Sequence, residues 1–138
     1  MDTPNTKKKI KKYGLIIIKE KKFLINRKYN TKLFLMPGGK PEKEESVEDC
    51  LIREIREEHQ CEIIKSSLNY FGTFEDKAAN ESDTIIEMHL YKAEIKGEPK
   101  INQEIEEQKW FGKNDNPEIL SPIIKNKILP EIIKRKII

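Results

Sequence analysis

The chain has 138 residues, 37% charged and 36% apolar, yet its formal net charge is only +3. That length is one domain's worth and can bury a core without disulfides or a structural metal. No apolar run approaches the ~20 residues of a membrane span, and residues 1–15 carry charge without the apolar stretch of a secretory signal. The two cysteines, Cys50 and Cys61, form no C-x-x-C pair, so reduced thiols in a cytoplasmic protein are expected. High charge density can accompany disorder, but isoleucine is abundant and periodic here, which favours a folded domain.

The charge is unevenly placed. Residues 1–12 hold five lysines and one aspartate, and residues 125–138 hold four lysines, one arginine and one glutamate. Between them the chain is acidic, and residues 42–58 alone carry eight acids against three bases. The basic ends read as solvated tails or faces, with an anion-attracting rim as the alternative. Residues 1–12 are set apart as a basic segment and 13–138 as a single domain.

In chain order, residues 13–18 (YGLIII) predict a buried strand and 23–27 (FLINR) its partner, joined through the polar KEKK. A short apolar piece, Leu33 to Met36, runs into the turn Pro37-Gly38-Gly39. Ser46 is placed as a helix N-cap, with Asp49 three residues on, and the helix is expected to reach His59. Strands are expected at 68–75, 84–95 and 106–111. Ser121-Pro122 opens a final helix, and Pro130 is expected to break or kink it. Strands followed or interrupted by helices predict a mixed α/β layered domain.

The helix beginning at Ser46 breaks its own pattern. Val47, Cys50 and Leu51 form an ordinary apolar stripe. Seven residues further on, the same three positions are Glu54, Glu57 and Glu58. A helix drifts only about 20° over seven residues, so these carboxylates point nearly where the core-facing residues did. Like charges at i,i+3 and i,i+4 repel, and anions at a helix C-terminus oppose its dipole. Two readings stay open from the helix alone. One is a solvated acidic face paired with Arg53, Arg56 and nearby lysines. The other is a site for a hard divalent cation such as Mg²⁺, which takes oxygen ligands. Gly38 and Gly39 in the preceding loop would let backbone approach a ligand closely.

Taken together, residues 39–61, GKPEKEESVEDCLIREIREEHQC, resemble the Nudix box, G-x5-E-x7-R-E-U-x-E-E-x-G-U with U a bulky apolar residue. Gly39 matches the first glycine and Glu45 the isolated glutamate. Arg53-Glu54, Ile55 and Glu57-Glu58 follow in register, and the preceding LMPGG is also typical of the family. Cys61 stands at the last apolar position. Gln60 departs from the pattern, which has glycine there. A residue after a helix often takes the left-handed conformation, so Gln60 should cost on the order of 1 kcal/mol without removing the site.

The resemblance implies the Nudix fold, a mixed β-sheet between α-helices. It implies a Mg²⁺- or Mn²⁺-dependent hydrolase cutting the phosphoanhydride of a nucleoside diphosphate linked to another moiety. Glu57 and Glu58 match the family's metal ligands, with the Gly39 carbonyl as a third contributor. Glu54 matches a position that binds metal or orients the attacking water. Arg53 is expected to orient the glutamates by salt bridges, and Glu45 to be an outer partner. A further acid from a later loop is sought in INQEIEEQKWF, with Glu104 first and Glu107 second. Arg27 and Asn80 are candidate substrate contacts. Trp110 is assigned to the core, and His59 and His89 to core or surface.

The stretch Phe74 to Lys77 lacks the proline of ADP-ribose-type members, and Ala78 and Ala79 stand where dinucleoside-polyphosphate types carry tyrosine. The plain box and small size are most like MutT-type members, which release pyrophosphate from nucleoside triphosphates such as 8-oxo-dGTP. ADP-ribose, nucleotide-sugar and dinucleoside-polyphosphate substrates, or a non-catalytic nucleotide sensor, are the alternatives. The partner expected is a nucleotide, with no membrane, with nucleic acid disfavoured and with a homodimer left open.

Overall fold

The structure, a computed structural model, describes residues 7–79 and 81–138. In chain order the elements are β1 (Lys8–Ile16), β2 (Ile18–Lys19), β3 (Lys22–Lys28), β4 (Gly38–Gly39), α1 (Val47–His59), β5 (Glu62–Ile63), β6 (Asn69–Lys77), β7 (Thr84–Lys92), β8 (Ile95–Lys96), β9 (Ile105–Phe111) and α2 (Leu129–Lys134), the last preceded by a π-helical turn at Ile124–Ile128. The strands form a mixed sheet ordered β4-β1-β7-β6, a second sheet β2-β3-β9 and a small pair β5-β8. Strand β1 pairs in parallel with β7 and antiparallel with β4.

Alternation along the strands feeds two cores. Ile10 and Ile16 of β1, with Phe23 and Ile25 of β3, pack against Ile124, Ile128 and Ile132 of the C-terminal helix. Tyr13 and Leu15 of β1, with Ile17 and Leu24, pack against Leu51 and Ile55 of α1. Successive strand residues point to opposite faces, so one run of apolar side chains serves both helices. The result is the expected fold, a mixed sheet between helices. Leu51 and Ile55 are fully buried, and each such side chain contributes about 1.5–3 kcal/mol.

Several boundaries move. The strand expected at 13–18 begins at Lys8, so the division set after residue 12 falls inside β1. Lys8–Lys12 are held there because each pairs along β7, from Thr84 to Met88. The expected hairpin partner of 23–27 is β2 alone, since the chain leaves the first sheet after Ile16. Glu20 and Lys21 turn that hairpin with φ of 50° and 62°, the two left-handed residues of a type I′ turn. The strand expected over 84–95 stops at Lys92, and Ile95–Lys96 pairs with β5 instead.

Pro130 does not end the last helix. The Leu129 N–H reaches back five residues to the Ile124 carbonyl. This widened turn lies directly ahead of Pro130, whose ring would strike the carbonyl four residues back in a regular α-helix.

Candidate functional site

Helix α1 starts as its sequence requires. The Ser46 side chain accepts from the Asp49 N–H at 3.1 Å, satisfying one of the first turn's free donors. At the other end Gln60 adopts φ 56° and ψ 36°, and its N–H donates to the Arg56 carbonyl. The left-handed cap expected for a glycine is therefore built with glutamine, at the cost already stated.

Between these ends the apolar stripe gives way to acid. Cys50 and Leu51 are fully buried. Glu54, one turn on, has a side chain 15% exposed, and Glu57 one 49% exposed. Glu58 is buried, and its Oε1 accepts from the Gly38 N–H at 3.0 Å. Burial pushes the Glu58 carboxyl up to about 8, with the Glu54 charge adding to the effect and the Gly38 N–H opposing it. Glu54 is also raised, first by burial and then, against the pull of Arg53, by Glu57.

The glycine turn makes room for this. Strand β4 lies against β1, pairing Gly39 with Tyr13 and Gly38 with Gly14. A Cβ at Gly39 would strike the Glu54 carboxylate. Gly38 has φ 134°, and a Cβ there would strike the Tyr13 carbonyl oxygen. Gly38 therefore excludes a side chain, and one at Gly39 would displace the Glu54 carboxylate.

Arg53 braces the acids. Its Nε and Nη2 donate to the two Glu45 oxygens at 2.8 and 2.9 Å. Its Nη1 donates to Glu54 at 3.1 Å and Glu57 at 3.3 Å. The bidentate bond, seconded by the Glu42 N–H, holds the Glu45 carboxyl down at about 2.

The glycine turn, Arg53 and the α1 carboxylates open onto a cleft with a cavity volume of ≈ 390 Å³, inside the range of small-molecule sites. Glu54, Glu57, Glu58, Gly39, Arg53 and Glu104 all line it. Lys12 of β1, Lys28 at the end of β3, Lys40 after β4 and Lys77 at the end of β6 line it too. Lysines in ion pairs among the described residues are Lys9, Lys19 and Lys125, and none of these lines the cleft. Met36, Ile86, Met88 and Ile123 give it an apolar part. Ser121 lines it as well, with a buried hydroxyl that has no hydrogen-bond partner among the described residues.

Other candidates lie elsewhere. Arg27 is not among the cleft-lining residues. Its guanidinium forks to Glu106 at 2.9 Å and Glu107 at 3.1 Å, and also reaches the Thr31 carbonyl. That engagement also occupies Glu107, the second-choice acid. Asn80 lies outside the described residues. Trp110 is half-buried against the α1-side core, with the Lys19 ammonium 5.9 Å from its ring centre. His89 bonds Glu87 at 2.6 Å and lies 3.3 Å from the Thr73 hydroxyl. His59 is fully buried, and burial lowers its pKa.

Sequence reasoning missed the four lysines. Lys12 carried a readable signal, because it alternates with Ile10, Gly14 and Ile16 on the inward face of one strand. Lys28, Lys40 and Lys77 carried none, since they come together only through folding.

Among the described residues no three His, Cys, Asp or Glu side chains already converge on a common metal position. The donor set nevertheless fits a hard divalent cation. It is all oxygen, from Glu54, Glu57, Glu58 and the nearby Gly39 backbone. One of those carboxyls is buried with only neutral hydrogen-bond donors, the Gly38 N–H and the Asn26 amide, on it.

Comparison with known proteins gives the same placement. Residues 8–132 match the NUDIX domain family. The MutT protein of Methanosarcina mazei Go1 superposes with a TM-score of 0.74 at 19% identity, covering 94% of this chain and 97% of that one. The ORF135 protein of E. coli superposes at 0.71 with 24% identity, covering 94% and 92%. An ADP-ribose pyrophosphatase from Streptococcus suis superposes at 0.59 with 18% identity, covering 91% and 90%. At these identities the likeness is one of fold. No curated protein sequence matches. No helix among the described residues is long and apolar enough to cross a membrane.

Proposed function

The chain belongs to the Nudix family of hydrolases, and from that premise we propose that it is a Mg²⁺- or Mn²⁺-dependent pyrophosphatase of nucleoside triphosphates. The observation that carries the substrate is the pairing of two walls in one cleft. Three α1 carboxylates line it, and so do four lysines without ion-pair partners among the described residues. A triphosphate carries more charge than the diphosphate of ADP-ribose, and it suits that many ammonium groups better. The apolar part of the cleft offers a surface for a base.

Glu57, Glu58 and Glu54, with the Gly39 carbonyl, would hold the cation. Such an ion supplies charge neutralisation to the phosphates and a water of lowered pKa as nucleophile. Arg53 keeps Glu54 and Glu57 in place through its fork to Glu45. Glu104 lines the same cleft, without an ion-pair partner among the described residues, and is the acid assigned to act on the attacking water. Lys12, Lys28, Lys40 and Lys77 bind phosphate oxygens of the substrate.

The test is hydrolysis of a substrate panel with Mg²⁺ or Mn²⁺, beside Glu57→Gln. The panel holds the dNTPs, 8-oxo-dGTP, ADP-ribose, dinucleoside polyphosphates and NADH. Pyrophosphate released from triphosphates above the control is the expected result. Products only from ADP-ribose or dinucleoside polyphosphates would replace the substrate class, and no metal-dependent product would remove the activity.

A further inference from the structure

Glu58 touches a buried polar chain that the family resemblance does not account for. Asn26 on β3 and Gln108 on β9 are direct register partners. His59, the last residue of α1, bridges their side chains. Its Nδ1 lies 2.8 Å from Gln108 Oε1 and its Nε2 lies 2.9 Å from Asn26 Nδ2. Asn26 is 1% exposed and His59 0%. The backbone of Asn26 is fixed by bonds to Leu35 in both directions, at 2.9 and 2.6 Å.

The direction of every hydrogen bond in this chain follows from its Gln108 end. Gln108 Nε2 donates to the Pro99 carbonyl at 2.8 Å. Gln108 therefore turns its carbonyl oxygen toward His59, and His59 must carry its proton on Nδ1. At the other end Glu58 Oε1 lies 3.5 Å from Asn26 Nδ2. Protonated on Nδ1, His59 can only accept at Nε2, so a flipped Asn26 would set two acceptors together, and its amide nitrogen must face His59 and with it Glu58. His59 Nε2 is then a bare acceptor. One hydrogen of the Asn26 amide goes to it, and the other makes the longer contact with Glu58.

We infer that His59, Gln108 and Asn26 are positioning residues for Glu58, holding its Oε1 with the Asn26 amide and the Gly38 N–H so that Oε2 is left to bind a divalent cation. A carboxylate accepting two donors on one oxygen cannot rotate without losing both. The His59 ring matters because it takes one Asn26 hydrogen and so fixes the plane of the other. An apolar residue at position 59 would fill the core equally well and leave the amide free to turn. Outer partners of this kind typically change metal affinity by about 10–100-fold.

The inference rests on the cation-binding part of the proposed function and not on its substrate, so its test needs no nucleotide. Mn²⁺ affinity is measured by calorimetry and electron paramagnetic resonance on the full chain, alongside thermal unfolding in chelator. Asn26→Leu is expected to weaken Mn²⁺ binding by about tenfold or more and His59→Phe to do the same. In a Glu58→Gln background Asn26→Leu should have no further effect, because the two act through one oxygen. ¹⁵N-resolved histidine spectra of the parent chain should show His59 neutral with its proton on Nδ1. If Asn26→Leu fails to fold, Asn26→Thr, which suits a strand and is too short to reach Glu58, takes its place. Unchanged Mn²⁺ affinity in a folded Asn26 variant, additive effects with Glu58→Gln, an Nε2–H tautomer, or no Mn²⁺ binding by the parent chain would each overturn the inference. Coupled Mn²⁺ binding without hydrolysis of any nucleotide would leave it standing and remove the enzyme reading alone.

Discussion

The two charged walls of the cleft are built in opposite ways. The acidic wall comes from one helix and its preceding turn, and it is cross-braced. Arg53 joins Glu45, Glu54 and Glu57, and Glu58 is tied to Gly38 and Asn26. The basic wall comes from four separate places on the chain, and no ion pair holds any of its lysines among the described residues. A braced wall keeps its geometry whether or not a ligand is present. Unpaired ammonium groups bind diffusely and adapt to the ligand that arrives. The difference suggests where disruption should be abrupt and where it should be graded.

The largest effect is expected at the braced wall. Glu57→Gln and Glu58→Gln should each lower hydrolysis by on the order of a thousandfold, about 4 kcal/mol of transition-state stabilisation, read as kcat/KM at saturating Mn²⁺. Next is Arg53→Met. It leaves Glu45, Glu54 and Glu57 facing one another without their common cation, and should cost on the order of 2–3 kcal/mol of stability in urea unfolding.

The lysine wall should answer more gently. Lys28→Met or Lys40→Met should raise KM about three- to tenfold with little change in kcat. The loss should shrink at high salt, which weakens exposed charge contacts. A collapse of kcat in either variant would mean that the basic wall is as exacting as the acidic one.

A pH series separates the walls further. Glu58 has a folded-state pKa of about 8 against 4.5 for the ordinary carboxyl. The metal-free folded chain therefore holds a proton that the unfolded chain releases above pH 4.5. That contribution to stability is complete below about 4.5 and is lost as pH rises through about 8. Chelator-treated protein should thus lose unfolding midpoint across that window. Mn²⁺ must displace the same proton, so its binding should tighten over the same range. The smallest effect is expected outside both walls. Gln60→Gly should relieve the left-handed cap and stabilise the chain by about 1 kcal/mol, near 3 °C in melting temperature for a domain of this size.

Legibility in the sequence followed the same division. Glu45, Arg53, Glu54, Glu57 and Glu58 were readable because one helix fixes their relative positions through its period. The Ser46 cap and the left-handed position of Gln60 were readable for the same reason. The placement of Arg27 was not. It lies on the expected strand, but the pairing of β3 with β9 brings Glu106 and Glu107 to its guanidinium. Glu104 did fall in the cleft, three residues from an acid that did not.

The formal net charge of +3 resolves along the same lines. The sequence by itself determined the acidic centre, the helix that carries it and the alternation that makes a layered domain, because helix and strand periods act over a few residues. Pairing with β7 placed Lys12 in a strand of the central sheet and not in a solvated tail, as its alternation with Ile10, Gly14 and Ile16 already allowed. Tertiary structure alone decided that Lys28, Lys40 and Lys77 share its cleft, and that His59 reaches Asn26 and Gln108. Those contacts depend on strand order and register between distant segments, set by burial of two cores at once and not by any local spacing.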